Sequence, residues 1–104
     1  MLGGYYLEVP HDSGKLTLGA GTDLEIFHNG TDSWVKNVTG KLRLCNTNGN
    51  GNSVKIGARE DQDSIIVYPL GATEIHHNGA KKFETHNDGI HVTGDVSITG
   101  NYLA

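Results

Sequence analysis

One short stretch of the sequence occurs twice, and this repeat most constrains the fold. Residues 24–30 read LEIFHNG, and residues 73–79, which begin 49 positions later, read TEIHHNG. Side chains alternate within each copy in the two-residue period of a β-strand with one covered face. Asn-Gly at the end of each copy is typical of a type I′ hairpin turn. The repeat therefore predicts strands followed by turns at Asn29, Gly30, Asn78 and Gly79, in a fibre or a stack of modules.

A second, shorter pattern supports the same conclusion. Residues 13–18, 39–44 and 93–98 each read hydroxyl, glycine, charge, aliphatic, polar, aliphatic. The chain lacks a convincing helical period, so we expect an all-β fold of short strands. We interpret residues 1–104 as a single repetitive segment, with repeat copies at 14–45 and 72–100 and a loop at 46–52. The alternating segments predict strands at 5–9, 15–18, 23–28, 33–37, 41–45, 53–56, 64–68, 89–92 and 95–98.

Composition excludes several classes of function. The net charge of −4 argues against a nucleic-acid partner, which would require clustered Lys and Arg. No apolar run approaches the ~20 residues of a membrane-spanning helix, so we expect no membrane insertion. The first residues lack the basic and apolar regions of a signal peptide. Cys45 is the only cysteine, which rules out an intrachain disulfide, and we interpret it as a small buried apolar residue.

The apolar residues are too scattered to form a dense core in one chain. Hydrophobic residues make up 36% of the sequence and occur mostly as singles and pairs. Three identical chains that share one axis would each need only a single row of aliphatic side chains. We therefore expect an elongated homotrimeric fibre, and consider a monomeric sandwich and a single-chain β-solenoid as alternatives. The expected trimer core comprises Leu16, Leu18, Leu24, Ile26, Leu42, Leu44, Ile75, Ile90, Val92, Val96 and Ile98.

Several short motifs, in order, resemble a repeat of virion structural proteins. The segment 19–30, followed by the Thr-Gly-x-Leu-x-Leu at 39–44, is similar to tail-fibre repeats of marine bacteriophages, those of cyanobacterial viruses above all. The segments 78–85 and 88–96 resemble the same family. The resemblance spans about residues 18–100. It implies a homotrimeric fibre segment in the virion, with a β-helical or β-spiral shaft. Such a segment would contact other virion proteins and a host surface glycan or receptor during attachment.

Catalytic and metal chemistry are weakly indicated. His28 and His77 occupy matching positions, and on a threefold axis each would gather three imidazoles that could hold a divalent metal. No motif of a catalytic nucleophile or triad is recognisable, so we expect a non-enzymatic protein without a cofactor. A monomeric carbohydrate-binding β domain, with Phe27, Trp34 and the pair Tyr5-Tyr6 as a sugar platform, is one alternative. A phage-borne polysaccharide hydrolase module is the other.

Overall fold

The computed structural model describes residues 4–47 and 51–103, so residues 48–50 of the expected loop at 46–52 lie outside it. Its described residues form eight β-strands and no helix, which confirms the all-β prediction. No helix that could cross a membrane occurs in this part of the chain. The strands are β1 Lys15–Leu18, β2 Leu24–His28, β3 Ser33–Asn37, β4 Val54–Ile56, β5 Ile65–Val67, β6 Thr73–His77, β7 Ala80–His86 and β8 Gly89–Val92.

The chain divides into two compact units, Met1–Arg43 and Leu44–Ala104. The first contains a three-stranded sheet in the order β1-β2-β3, and the second contains a five-stranded sheet in the order β4-β5-β6-β7-β8. All neighbouring strands are antiparallel and consecutive in sequence, so each sheet is a meander. Such sheets are not the coils of a solenoid, and the single-chain β-solenoid alternative is therefore wrong.

The two copies of the repeat end in different turns. In the second copy, the last pair is His77 with Ala80, and the two loop residues, Asn78 and Gly79, have φ of 51° and 82°. Two successive positive φ angles are what a type I′ turn requires, so that prediction is confirmed.

In the first copy the last pair is His28 with Ser33, which leaves a four-residue loop. Asn29 is absent from the positive-φ residues, and its Oδ1 accepts hydrogen bonds from the backbone N–H groups of Thr31 and Asp32, at 3.0 and 2.8 Å. Gly30 alone of the Asn-Gly pair has a positive φ, 96°. The type I′ prediction is wrong here, because the Asn29 side chain stabilises a longer turn in the manner of an Asx turn.

The strand register of the two copies differs by one residue beyond the turns. The loop of the second copy is two residues shorter, and a β-bulge at Ile75/His76 then adds one residue back on β7. Ile26 lies opposite Val35 and Phe27 lies opposite Trp34, whereas Ile75 lies opposite Phe83. Trp34 and Phe83 occupy equivalent places in the repeat, yet Trp34 shares a face with Phe27 and Phe83 shares a face with Ile75. A one-residue change of register moves every side chain of a strand to the opposite face.

Three of the expected strands do not form. Residues 5–9, 41–45 and 95–98 have no strand partner in the described chain. The last two are copies of the short pattern whose first copy is β1, which pairs with β2. Local alternation is thus present in all three copies, but a strand also needs a neighbour that supplies backbone hydrogen bonds. Cys45, in the second of these segments, is exposed rather than buried.

Adding one methyl group to the Asn-Gly turn of the second copy should lower the stability of the protein. We expect Gly79→Ala to destabilise the protein by about 1 kcal/mol, because an L-residue is strained at positive φ. Thermal denaturation should show a fall in Tm of about 4–8 °C. Gly71→Ala is the control, since Gly71 has no positive φ and an added Cβ there would make only ordinary contacts at 3.4 Å or more. Equal effects of the two variants would contradict this account of the turn.

Candidate assembly surface

The first sheet has an open apolar face. Leu16, Ile26 and Val35 form one row across its three strands, since Ile26 is paired with both of the others. Leu18 and Leu24 are paired with each other two positions along, on the same face. Ile26, at the centre of the row, is 41% exposed, and Leu16, Leu18 and Val35 are exposed as well. The described part of the chain therefore leaves the aliphatic face of this sheet largely open.

The second sheet repeats this arrangement on a larger scale. One row of five apolar residues crosses all of its strands, from Ile56 through Ile65, Ile75 and Phe83 to Val92. Ile75, at the centre of the row, is 47% exposed. Three further apolar residues lie two positions along the strands on the same face: Val54, Val67 and Ile90. We call these two faces the apolar faces.

The opposite face of the first sheet carries paired charges and stacked rings. The Glu25 carboxylate is 8% exposed, and its oxygens lie 3.2 Å from Lys15 Nζ and 4.0 Å from Lys36 Nζ. Phe27 and Trp34 stack with ring centroids 6.2 Å apart, and Lys15 Nζ lies 4.5 Å from the Phe27 ring centroid. The polar groups on this face thus find partners within the chain, as buried or half-buried charges must.

The opposite face of the second sheet is also ion-paired. Lys81 Nζ lies 2.8 Å from Glu84 Oε2 and 3.7 Å from Glu74 Oε2, and His76 Nε2 lies 2.9 Å from Glu74 Oε1. Hydrogen bonds from Lys81 and then from His86 lower the pKa of Glu84 below its ordinary value. The hydrogen bond to Glu84 in turn raises the pKa of Lys81. Each sheet therefore has one face whose charges pair internally and one apolar face that is left open.

One apolar side chain lies on the charged side. Ile66 is 5% exposed and is the only buried apolar residue in the described part of the chain. It stands between Lys55 and Glu74 in its cross-strand row, opposite in phase to Ile65 and Val67. The interior of a single chain is thus very small, because most aliphatic side chains belong to the apolar faces.

The expected core residues fall into two groups. Seven of them lie on the apolar faces of the sheets: Leu16, Leu18, Leu24, Ile26, Ile75, Ile90 and Val92. The other four, Leu42, Leu44, Val96 and Ile98, are exposed in the segments that form no strand. Sequence reasoning omitted Val35, Ile56, Ile65 and Phe83, although each follows from the alternation once the register is known. Their common role in a trimer core remains a prediction.

The two histidines considered as metal ligands lie at the ends of β2 and β6. His28 Nδ1 is 2.9 Å from Ser33 Oγ at the end of β2, and His77 is exposed at the end of β6. Neither belongs to a group of three metal-ligating side chains among the described residues. A site made by three copies at one axis remains a prediction for both.

Another group was missed from the sequence. Glu84, His86 and His91 present ligand atoms that all lie within 4.8 Å of one another. The Glu-x-His spacing on one strand was the available signal, because residues two apart share a face of a sheet.

Comparisons of the chain with protein-family models, with curated proteins and with solved structures find no match. The observations that bear on function are therefore the pattern of the sequence and the two apolar faces.

Proposed function

We propose that this chain is a non-enzymatic segment of a virion fibre, which assembles as a homotrimer through its apolar faces and serves host attachment. The observation that carries the proposal is the open apolar face on each sheet, opposite a face whose charges are already paired. In the assembly the charged faces point to solvent, and the apolar faces meet those of the other copies. The motif resemblance to bacteriophage fibre repeats supports the virion location and the contacts with other virion proteins.

The energetics favour association. Full burial of an aliphatic side chain contributes roughly 1.5–3 kcal/mol, so covering a half-exposed one contributes about 1 kcal/mol. The apolar faces carry some dozen such residues per chain, which amounts to on the order of 10 kcal/mol from each copy. Three copies together gain on the order of 30 kcal/mol, whereas the two association steps of a trimer cost roughly 8–30 kcal/mol.

Three copies suit the geometry of single sheets. Each sheet can form one wall of a three-sided shaft, with its apolar face toward the axis and its charged face outward. Two copies that face each other would also cover their apolar faces. The choice of three copies therefore depends on the resemblance to fibre repeats. The β-helical or β-spiral shaft that we propose is built from antiparallel meanders of three chains.

The segments at 41–45 and 95–98 support exchange of strands between copies. Both repeat the pattern of β1, and neither pairs with a strand among the residues that the structure describes. Unpaired extended segments and open sheet edges readily pair with another chain. In the trimer these segments add to the sheet edges of neighbouring copies, which places Leu42, Leu44, Val96 and Ile98 in the shared core.

The mass of the protein in solution tests the proposal. Light scattering after size exclusion should give about three times the chain mass of 11.2 kDa. Small-angle scattering should show a rod on the order of 50 Å long, from the eight strands and the two exchanged segments at about 4.8 Å spacing. A folded species of 11.2 kDa at all working concentrations would contradict the assembly.

A second function is favoured by the stacked rings of Phe27 and Trp34. Trp34 is exposed and stacks on Phe27, and Lys15 lies over the Phe27 ring from the other neighbouring strand, so this row of two rings and a cation suits contact with a sugar. This platform suits a carbohydrate-binding domain, and it is also compatible with a fibre that attaches to a surface glycan. Glycan-array binding that is lost in Trp34→Ala, with unchanged mass, would assign the platform to sugar recognition.

A further inference from the structure

We propose that Glu84, His86 and His91 form a binding site for a divalent transition-metal ion of the zinc class. The three side chains lie on the charged face of the β7–β8 hairpin, away from the apolar face that the assembly uses. Their ligand atoms all lie within 4.8 Å of one another. The site lies within one chain and does not depend on the number of copies that assemble.

The hairpin itself brings the three residues together. Glu84 and His86 are two apart on β7, so they share one face of the sheet. His91 is the direct cross-strand partner of Glu84 on β8. The His86 and His91 rings stack with centroids 3.6 Å apart and an angle of 20° between their planes. A pairing register, rather than a flexible loop, therefore sets the spacing of the ligands.

The donor set selects the class of ion. Two imidazoles and one carboxylate suit Zn²⁺ and its neighbours in the first transition row, whereas Ca²⁺ and Mg²⁺ prefer oxygen ligands alone. Ligand atoms about 2.0–2.2 Å from an ion can be no more than about 4.4 Å apart. A small tilt of the two imidazole rings would bring the ligand atoms within this distance of one another. Both histidines are exposed, so their rings have room to tilt.

Neighbouring groups already hold the carboxylate in place. Lys81 Nζ donates to Glu84 Oε2 at 2.8 Å, and Glu84 Oε1 lies 3.2 Å from His86 Nε2. Binding of an ion replaces the contact between Oε1 and His86, while Lys81 keeps the other oxygen. A ligand whose orientation is fixed by a second hydrogen bond loses less freedom when the ion binds.

The same sheet contains a natural comparison. Glu74 and His76 on β6 have the same two-residue spacing, and His76 Nε2 lies 2.9 Å from Glu74 Oε1. Their cross-strand partners are Glu84 and Lys81, so no second imidazole completes this pair. The proposed site thus has one ligand more than the pair Glu74 and His76, namely the imidazole of His91.

Titration calorimetry with Zn²⁺ on the whole chain, after removal of metal by a chelator, tests the site. We expect one ion per chain, and we expect His86→Ala, His91→Ala and Glu84→Gln each to weaken binding by at least about tenfold. His76→Ala is the matched control and should bind as the unchanged chain does. Co²⁺ gives a second readout, since its visible absorption bands should appear with the unchanged chain and not with His91→Ala.

Two results would overturn the site. One is binding by the double variant His86→Ala/His91→Ala as tight as that of the unchanged chain. The other is an equal loss in His76→Ala and His91→Ala, which would mean that histidines bind without the hairpin geometry. Circular dichroism checks that each variant folds, and His91→Asn replaces His91→Ala if the alanine variant does not.

Discussion

Replacement of Ile75 by Asp is expected to leave single chains in place of the assembly. Ile75 is the centre of the five-residue apolar row and is 47% exposed in the isolated chain. In the proposed trimer this residue faces the other copies, so the substitution would place three carboxylates in a shared apolar interior. Burial of an unpaired charge costs several kcal/mol, roughly, for each copy. Light scattering should then show a fall from about three chain masses to one.

A substitution by Asp on the charged face is the control for Ile75→Asp. It distinguishes loss of the apolar contact from a general effect of added negative charge. Lys55 is exposed in β4, and its cross-strand partner is Ile66, so it lies on the charged face of the same sheet. Lys55→Asp should keep the mass of the unchanged protein, because that face points to solvent in the proposed assembly. If Ile75→Asp keeps the assembled mass, or if both variants lose it equally, the apolar face is not the contact between copies.

Replacement of Ile66 by Ala is expected to have the largest effect on stability within one chain. Ile66 is 5% exposed and stands on the charged side of the five-stranded sheet. Loss of a buried isoleucine side chain typically costs about 2–5 kcal/mol, and the lower part of that range applies to this small interior. The free energy of unfolding should fall by about 2–3 kcal/mol. Thermal denaturation at a fixed protein concentration should show a Tm lower by on the order of 10 °C.

Leu70 provides the control for Ile66. Its side chain is fully exposed in a turn, so Leu70→Ala removes apolar atoms that no neighbour covers. We expect a change within about 0.5 kcal/mol for that variant. Equal shifts of Tm in the two variants would mean that Ile66 is no better packed than a surface leucine. The protein concentration must be the same in both measurements, because assembly raises apparent stability by mass action.

Much of the strand pattern could be predicted from the sequence, because alternation is a local property. The strands β1, β2, β3 and β8 form where the alternation indicated them. The strands expected at 41–45 and 95–98 do not form, because a strand needs a pairing partner and local alternation does not identify that partner. The two Asn-Gly turns diverge because Thr31 and Asp32 offer N–H groups to the Asn29 side chain, while Ala80 pairs at once with His77.

The candidate surfaces were only partly predictable for the same reason. Ile26 and Ile75 were placed on an apolar face by their period, and the structure has them there. Phe83 was not placed on an apolar face, because the one-residue difference in register between the two copies moves it to the face opposite to that of Trp34. The group at Glu84 was missed because its third member, His91, joins only through the pairing of two strands.

The central claim is that the apolar faces are covered by other copies of the same chain. Isotope-filtered nuclear Overhauser measurements on a mixture of labelled and unlabelled chains test this contact directly. We predict Overhauser effects between chains at the methyl groups of Ile26 and Ile75. Methyl groups at both positions that show contacts only within their own chain, in a sample at assembled concentration, would contradict the account.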